Sequence, residues 1–222
     1  MIIEDRILYE DAEIIAVDKP AGVAVESARV SETDLAHALR SYLADGDGGP
    51  EIYTVHRLDQ PVAGVVLFAR TKMAAAALSK QLADGEMQKI YRARVCGRIP
   101  AEAGELTDDL AWDRKTNTAH VVPGGKGSAK TSARREERPK KAVLRYKKTG
   151  EDTLEIELVT GRHHQIRAQL AHAGMPIRGD TKYGAPADSK EGLARGQIAL
   201  RAVSLSFRHP RTGAVMRITA EE

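Results

Sequence analysis

The chain has a single cysteine, Cys96. An internal disulfide and a cysteine-built metal cage are therefore excluded. No apolar run approaches the roughly 20 residues of a membrane-spanning helix. The opening Met1-Ile2-Ile3-Glu4-Asp5-Arg6 lacks the order of basic start and apolar stretch that marks a signal peptide. The expectation is a cytoplasmic protein. His163, His164 and His172 lack the paired spacing of a zincin helix, and no Cys or Glu completes a set, so no metal is expected. No internal repeat and no convincing linker divides the chain. Its 222 residues, 42% apolar and 29% charged, suit a soluble fold with ample core, and one domain over 1–222 is expected.

What is present is charge, unevenly placed. The net charge is +3, yet Lys126 to Lys148 holds ten Lys or Arg against Glu136 and Glu137. Such a run is either a solvated face or a surface that binds phosphates by releasing their counterions. Pro123-Gly124-Gly125-Lys126-Gly127-Ser128 lacks the spacing and the strand-to-helix setting of a phosphate loop.

Local patterns give short elements. Ile7-Leu8-Tyr9 and Ile14 to Val17 read as strands, and Asp18-Lys19-Pro20-Ala21-Gly22 as a turn. Ser31 with Asp34 resembles a capping box ahead of a helix carrying Leu35, Leu39, Tyr42 and Leu43. Asp45 to Pro50 should end that helix in a loop. Thr71 caps and Gly85 closes a second helix. Gln88 to Gly97 reads as a strand with Tyr91, Ala93 and Val95 on one face, Arg92 and Arg94 on the other, and Cys96 as a small core residue. Residues 98–130 carry no clear pattern, and Trp112 to Lys115 read as a polar connection. Ala142 to Lys147, Thr153 to Val159 and Val203 to Phe207 are further strands. Ile166, Leu170 and Ala173 mark a short helix ended by Gly174. A hairpin around His209 to Gly213 ends the chain.

The organising stretch is Val55-His56-Arg57-Leu58-Asp59-Gln60-Pro61-Val62-Ala63-Gly64, followed by the buried-strand run Val65 to Ala69. An acid lies beside two potential cations, ahead of a Pro turn and a core strand. Asp59 there makes an ordinary loop ion pair or serves as a functional carboxylate. Tyr91 is likewise a core tyrosine or a site residue. Thr160-Gly161-Arg162-His163-His164-Gln165-Ile166-Arg167 joins a strand to a helix start with polar groups, an arrangement suited to holding an anion or a base.

Together these stretches resemble the RluA-type pseudouridine synthases. His56-Arg57-Leu58-Asp59 with Gly64 is similar to their catalytic motif. Lys89-x-Tyr91 is similar to the second, and Thr160 to Arg167 with Pro176-Ile177-x-Gly179-Asp180-x-x-Tyr183-Gly184 to the third. Asp18 to Gly22 and Leu205-x-Phe207-x-His209-Pro210 also fit, in family order, over nearly the whole chain. The chain departs from the pattern at Val62-Ala63 (Thr-Ser in the family), at His163 (commonly Thr) and at Arg201 (often His). Because the pattern begins almost at Met1, the expectation is a catalytic domain without the family's frequent N-terminal S4 module.

The resemblance implies an α+β fold, a mixed and largely antiparallel sheet with flanking helices and a central cleft. It implies an isomerase that converts uridine to pseudouridine in ribosomal or transfer RNA, with no cofactor. A monomer is the default expectation, which neither the residues nor the resemblance decides. Asp59 would be the essential carboxylate, Arg167 its cation, and Tyr91 the residue stacked on the base. Arg57 would fill the space of a flipped nucleotide, with His56, Arg162, His164, Gln165 and Ile166 as further substrate contacts. Two rivals differ in class: an RNA-binding protein without catalysis, and a hydrolase using Asp59, which would need a second catalytic group that the sequence does not identify.

Overall fold

The computed structural model describes residues 2–27, 34–44, 51–122 and 138–220. The chain divides into two compact units, Met1–Ile90 with Ala194–Glu222, and Tyr91–Leu193.

The first unit opens with β1 (Ile7–Glu10) and β2 (Ile14–Lys19), an antiparallel pair. Strand β2 is longer than its apolar run because Asp18 and Lys19 continue the ladder opposite Val65 and Gly64. Polar partners make those charges tolerable there. Arg201 Nη2 donates to Asp18 Oδ2 at 2.9 Å, and the Lys19 ammonium donates to three backbone carbonyls.

Helix α1 (Leu35–Tyr42) starts at Asp34, whose Oδ1 accepts from His37 N at 2.7 Å. Asp34 is thus the N-cap itself, a position its carboxylate fills well, not the third residue of a box begun by Ser31. Ser31 and the loop expected at 45–50 lie outside the described residues, as does the glycine-rich stretch 123–128. After β3 (Tyr53–Thr54) comes β4 (Ala63–Ala69), buried at all seven positions. Helix α2 (Lys72–Asp84) has Thr71 Oγ1 accepting from Ala74 N at 3.1 Å and Gly85 at φ 75° as its stop.

Strand β5 (Gln88–Arg94) runs from the first unit into the second. It ends before Cys96, which lies half-buried beyond it, with its backbone N donating to Pro176 O at 2.7 Å. The second unit then forms β6 (Ala103–Asp113), β7 (Thr118–Val121), β8 (Lys140–Lys148), β9 (Thr153–Leu158) and α3 (Gln165–His172). Trp112 therefore belongs to a strand, not to a connection. The segment 103–113 hides its strand character because its charges are matched across the ladder: Glu105 faces Arg145 and Asp109 faces Lys141. Within this unit the strand order is β5-β9-β8-β6-β7.

The chain returns to the first unit as β10 (Leu200–Arg208) and β11 (Val215–Thr219). There the order is β1-β2-β4-β10, with β11 on β10 and β3 on β4. The β4–β10 pair is parallel, while β1–β2, β2–β4 and β10–β11 are antiparallel, so the α+β class with a mixed sheet holds. Val65, Leu67, Leu78, Leu205 and Phe207 share its core. Burying each such side chain contributes about 1.5–3 kcal/mol. His209 Nδ1 accepts from Arg211 N and Thr212 N, so Nε2 carries the proton and donates to Asp11 Oδ2 at 2.8 Å. The His-Pro ending thus ties the last hairpin to the β1–β2 turn.

Candidate active site

In the first unit the site is the loop between β3 and β4. Val62 N donates to Asp59 O at 3.0 Å, closing the Pro61 turn. Gln60 is fixed from both ends, since its carbonyl accepts from Gly22 N at 2.8 Å and its Nε2 donates to Gly22 O at 3.0 Å. Lys19, fully buried, donates to the carbonyls of Pro20, Val23 and Gln60 at 3.0, 2.7 and 3.1 Å. One ammonium therefore cross-links the Asp18–Gly22 turn to the Asp59 loop. Burial brings Lys19 down to about 8, against the opposing pull of Asp59 and Asp18.

Gly64 is dictated by backbone approach. Its φ is 118°, and a Cβ there would lie 2.1 Å from Ala202 O on the paired strand. Val62 and Ala63 are buried, at 2% and 6% exposure, so apolar residues suit the positions where the resembled motif has hydroxyls.

His56 is not the second cation that the sequence pattern offers. Its Nε2 accepts from Leu67 N at 3.1 Å, and burial, with Lys89 nearby, lowers it to about 4. The ring is neutral and braces the loop against β4. Arg57 is exposed.

In the second unit Tyr91 is buried on β5, on the same face as Ala93 and Val95. The segment 160–167 is built around Gln165. Its Oε1 accepts from Thr160 Oγ1 at 2.8 Å and Arg162 N at 3.0 Å, and its Nε2 donates to Val143 O at 3.1 Å. Gln165 is thus committed to shaping the turn. His164 occupies the left-handed region at φ 48°. Tyr183 Oη accepts from Ala119 N at 2.8 Å and is hydrogen-bonded to His164 Nδ1 at 2.8 Å. Burial, with Arg167, His163 and Lys182 nearby, lowers His164 to about 2, so this ring too is neutral. Arg167 is gripped by Asp180 in a two-pronged pair, Nε to Oδ2 at 2.7 Å and Nη2 to Oδ1 at 2.9 Å, and lies 4.8 Å over the Tyr183 ring. Ile166 is 5% exposed, and Arg162 is exposed. Among the described residues, no three His, Cys, Asp or Glu side chains are grouped as a metal site, and no helix is long and apolar enough to cross a membrane.

The profile of the RNA pseudouridylate synthase family matches residues 13–172. The chain belongs to that family. It is 32% identical to the tRNA pseudouridine synthase C of Pectobacterium carotovorum subsp. carotovorum, over 97% of this chain and 58% of that one. It is 33% identical to the ribosomal large subunit pseudouridine synthase C of Escherichia coli (strain K12), over 97% of this chain and 66% of that one. The chain thus spans under two thirds of the length of either relative. Two solved structures share the fold. Human RNA Pseudouridylate Synthase Domain Containing 4 has a TM-score of 0.76 at 20% identity, covering 99% of this chain and 89% of that one. Human RNA Pseudouridylate Synthase Domain Containing 1 has a TM-score of 0.74 at 19% identity, covering 98% and 83%.

The structure adds residues to which sequence reasoning gave no role of their own. Asp180 and Tyr183 stand in the third motif, but only their contacts reveal them as the supports of Arg167 and His164. Lys19 reads as a turn residue, and its burial is a tertiary fact. Trp112, whose ring lies 4.6 Å from that of His163 at a tilt of 37°, had no local signal.

Proposed function

We propose that the chain is an RNA pseudouridine synthase, an isomerase acting on uridines of structured ribosomal or transfer RNA. The observation that carries this reading is the family match across residues 13–172, a range that contains Asp59, Tyr91 and Arg167. Because the match runs through both compact units, we read 1–222 as one catalytic domain, a monomer located with its RNA in the cytoplasm.

The reaction is balanced without a co-reactant. The bond between uracil N1 and ribose C1′ breaks, the base turns, C5 bonds to C1′, the C5 proton leaves and N1 gains one. Asp59 is the essential carboxylate. Attack on the nucleotide and removal of a ribose proton both need it fixed in place, and the Lys19-braced loop supports that. Tyr91 stacks on the base and passes a proton late in the reaction. Arg167 is the cation of the chemistry, held rigid by Asp180. The base must leave its stack, at about a few kcal/mol, and Arg57, exposed on the Asp59 loop, fills the gap. Unstacked loop uridines are the cheaper targets. His164 and Ile166 wall the base, and Arg162 contacts the backbone. His56 and Gln165 serve the substrate by holding the loops that touch it.

The test uses RNA tritiated at uracil C5. The wild type should release tritium and form pseudouridine, and Asp59→Asn should do neither. Release of free uracil would favour hydrolysis instead. Tight RNA binding by the wild type without tritium release would favour a non-catalytic binding protein.

A further inference from the structure

Among the described residues, two that are not glycine have a positive φ, Asn117 at 51° and His164 at 48°. A residue with a side chain keeps that conformation where its surroundings enforce it, and such residues gather at functional sites. These two meet on one ring. Asn117 Oδ1 is hydrogen-bonded to His163 Nε2 at 3.0 Å. The His163 ring stacks on that of His164, with centroids 4.0 Å apart and a tilt of 22°.

Asn117 ends the turn between β6 and β7. Asp113 builds that turn, its Oδ1 accepting from Lys115 N at 2.8 Å and its Oδ2 from Thr116 Oγ1 at 2.9 Å. The Asn117 carbonyl accepts from Lys182 Nζ at 2.8 Å, and Ala119 N, two residues on, donates to Tyr183 Oη at 2.8 Å. The hairpin thus grips His163 through a side chain and Lys182 and Tyr183 through its backbone. The two gripped loops are also tied to each other, since His164 Nδ1 is hydrogen-bonded to Tyr183 Oη at 2.8 Å and the two rings meet edge to face. The resembled motifs include neither Asn117 nor the hairpin.

These contacts converge on Arg167. A guanidinium is flat, and the two-pronged bond from Asp180 fixes it along one edge. A ring against its face resists tilting about that edge, and the Arg167 Cζ lies 4.8 Å over the Tyr183 centroid. We propose that Tyr183 is a positioning residue for the reaction, setting the plane of the Arg167 guanidinium, and that the β6–β7 hairpin, with Asn117 as its clasp, holds Tyr183 in place. The proposal rests on Arg167 being the cation of the chemistry. A tilt of that group misplaces charge at the reacting centre, which costs rate and leaves substrate binding intact.

The test is tritium release from an RNA stem-loop tritiated at uracil C5, using the whole protein, with the folding of each variant checked by urea titration. Tyr183→Leu removes the face and should lower kcat about 10²-fold with KM within about threefold of the wild type. Tyr183→Phe restores the face without the hydroxyl and should return kcat to within about tenfold of the wild type. Asn117→Gly keeps the left-handed turn and removes the clasp. It should lower kcat a few-fold in the wild type and not at all in Tyr183→Leu, because the clasp acts through the tyrosine. A readout independent of turnover is the Arg167 Nε–H resonance of isotope-labelled protein, identified by its loss in Arg167→Lys. Tyr183→Leu should move it, and Tyr183→Phe should leave it near its wild-type position.

Wild-type kcat in folded Tyr183→Leu, a loss confined to KM, or an Nε–H resonance that stays in place would overturn the positioning role. An equal effect of Asn117→Gly in both backgrounds would overturn the clasp. If Tyr183→Leu does not fold, Tyr183→Phe/Asn117→Gly takes its place. With both anchors weakened, kcat should fall about tenfold at unchanged KM, and a wild-type kcat would overturn the role. If the wild type releases no tritium, the enzymatic reading fails, and the Nε–H resonance alone upholds or overturns the hold of Tyr183 on Arg167.

Discussion

Arg167 and Asp180 are locked together away from solvent, their side chains 6% and 1% exposed. Removing one partner of such a pair leaves a bare charge and costs about 3–5 kcal/mol, while replacing both with apolar residues costs far less. Asp180→Ala should lose about that much in urea unfolding. Arg167→Met/Asp180→Leu should regain most of the stability yet form no pseudouridine. An active double variant would remove Arg167 from the chemistry.

Gly64 and Gly85 both have positive φ, at 118° and 75°, but only Gly64 has a backbone atom in the way. Gly64→Ala should cost roughly 4 kcal/mol or more, or abolish folding. Gly85→Ala should cost only about 1 kcal/mol, the penalty of the left-handed conformation. Equal costs in denaturant titrations would contradict the close approach at Ala202.

Tyr91→Phe keeps a ring to stack but loses the hydroxyl. If the tyrosine passes a proton late, kcat should fall by about 10²–10⁴ with little change in KM. A rise in KM alone would limit Tyr91 to binding.

His56 and His164 have acid sensitivity built in. Folding lowers them to about 4 and about 2, from an ordinary 6.5. Between pH 6.5 and 4 the unfolded chain therefore binds more protons than the folded one. The stability they provide is fully present above 6.5 and is lost as the pH falls. The wild type should lose about 1 kcal/mol more per pH unit over that window than His56→Gln. Parallel pH profiles would show that His56 is not held neutral by the fold.

Legibility in the sequence followed the range of the interactions. Val65 to Ala69 declared itself because a strand buried on both faces needs an unbroken apolar run. Thr71 and Gly85 declared the ends of α2 because caps are local. The strand at 103–113 did not, because Glu105 and Asp109 make sense only opposite Arg145 and Lys141, some 40 and 32 positions later. The motif residues were found by resemblance, but their duties were not. Gln165 reads as a substrate contact, and that reading gave no hint that its side chain also holds the 160–165 turn. His56 reads as a cation and is a neutral brace.

The most direct measurement is pseudouridine mapping across all cellular RNA in the wild type, a deletion strain, and the deletion complemented with Asp59→Asn. Sites that vanish on deletion, return with the wild-type gene and stay absent with Asp59→Asn would establish the activity and name the RNA together. An unchanged map on deletion, or full restoration by Asp59→Asn, would contradict catalysis by Asp59.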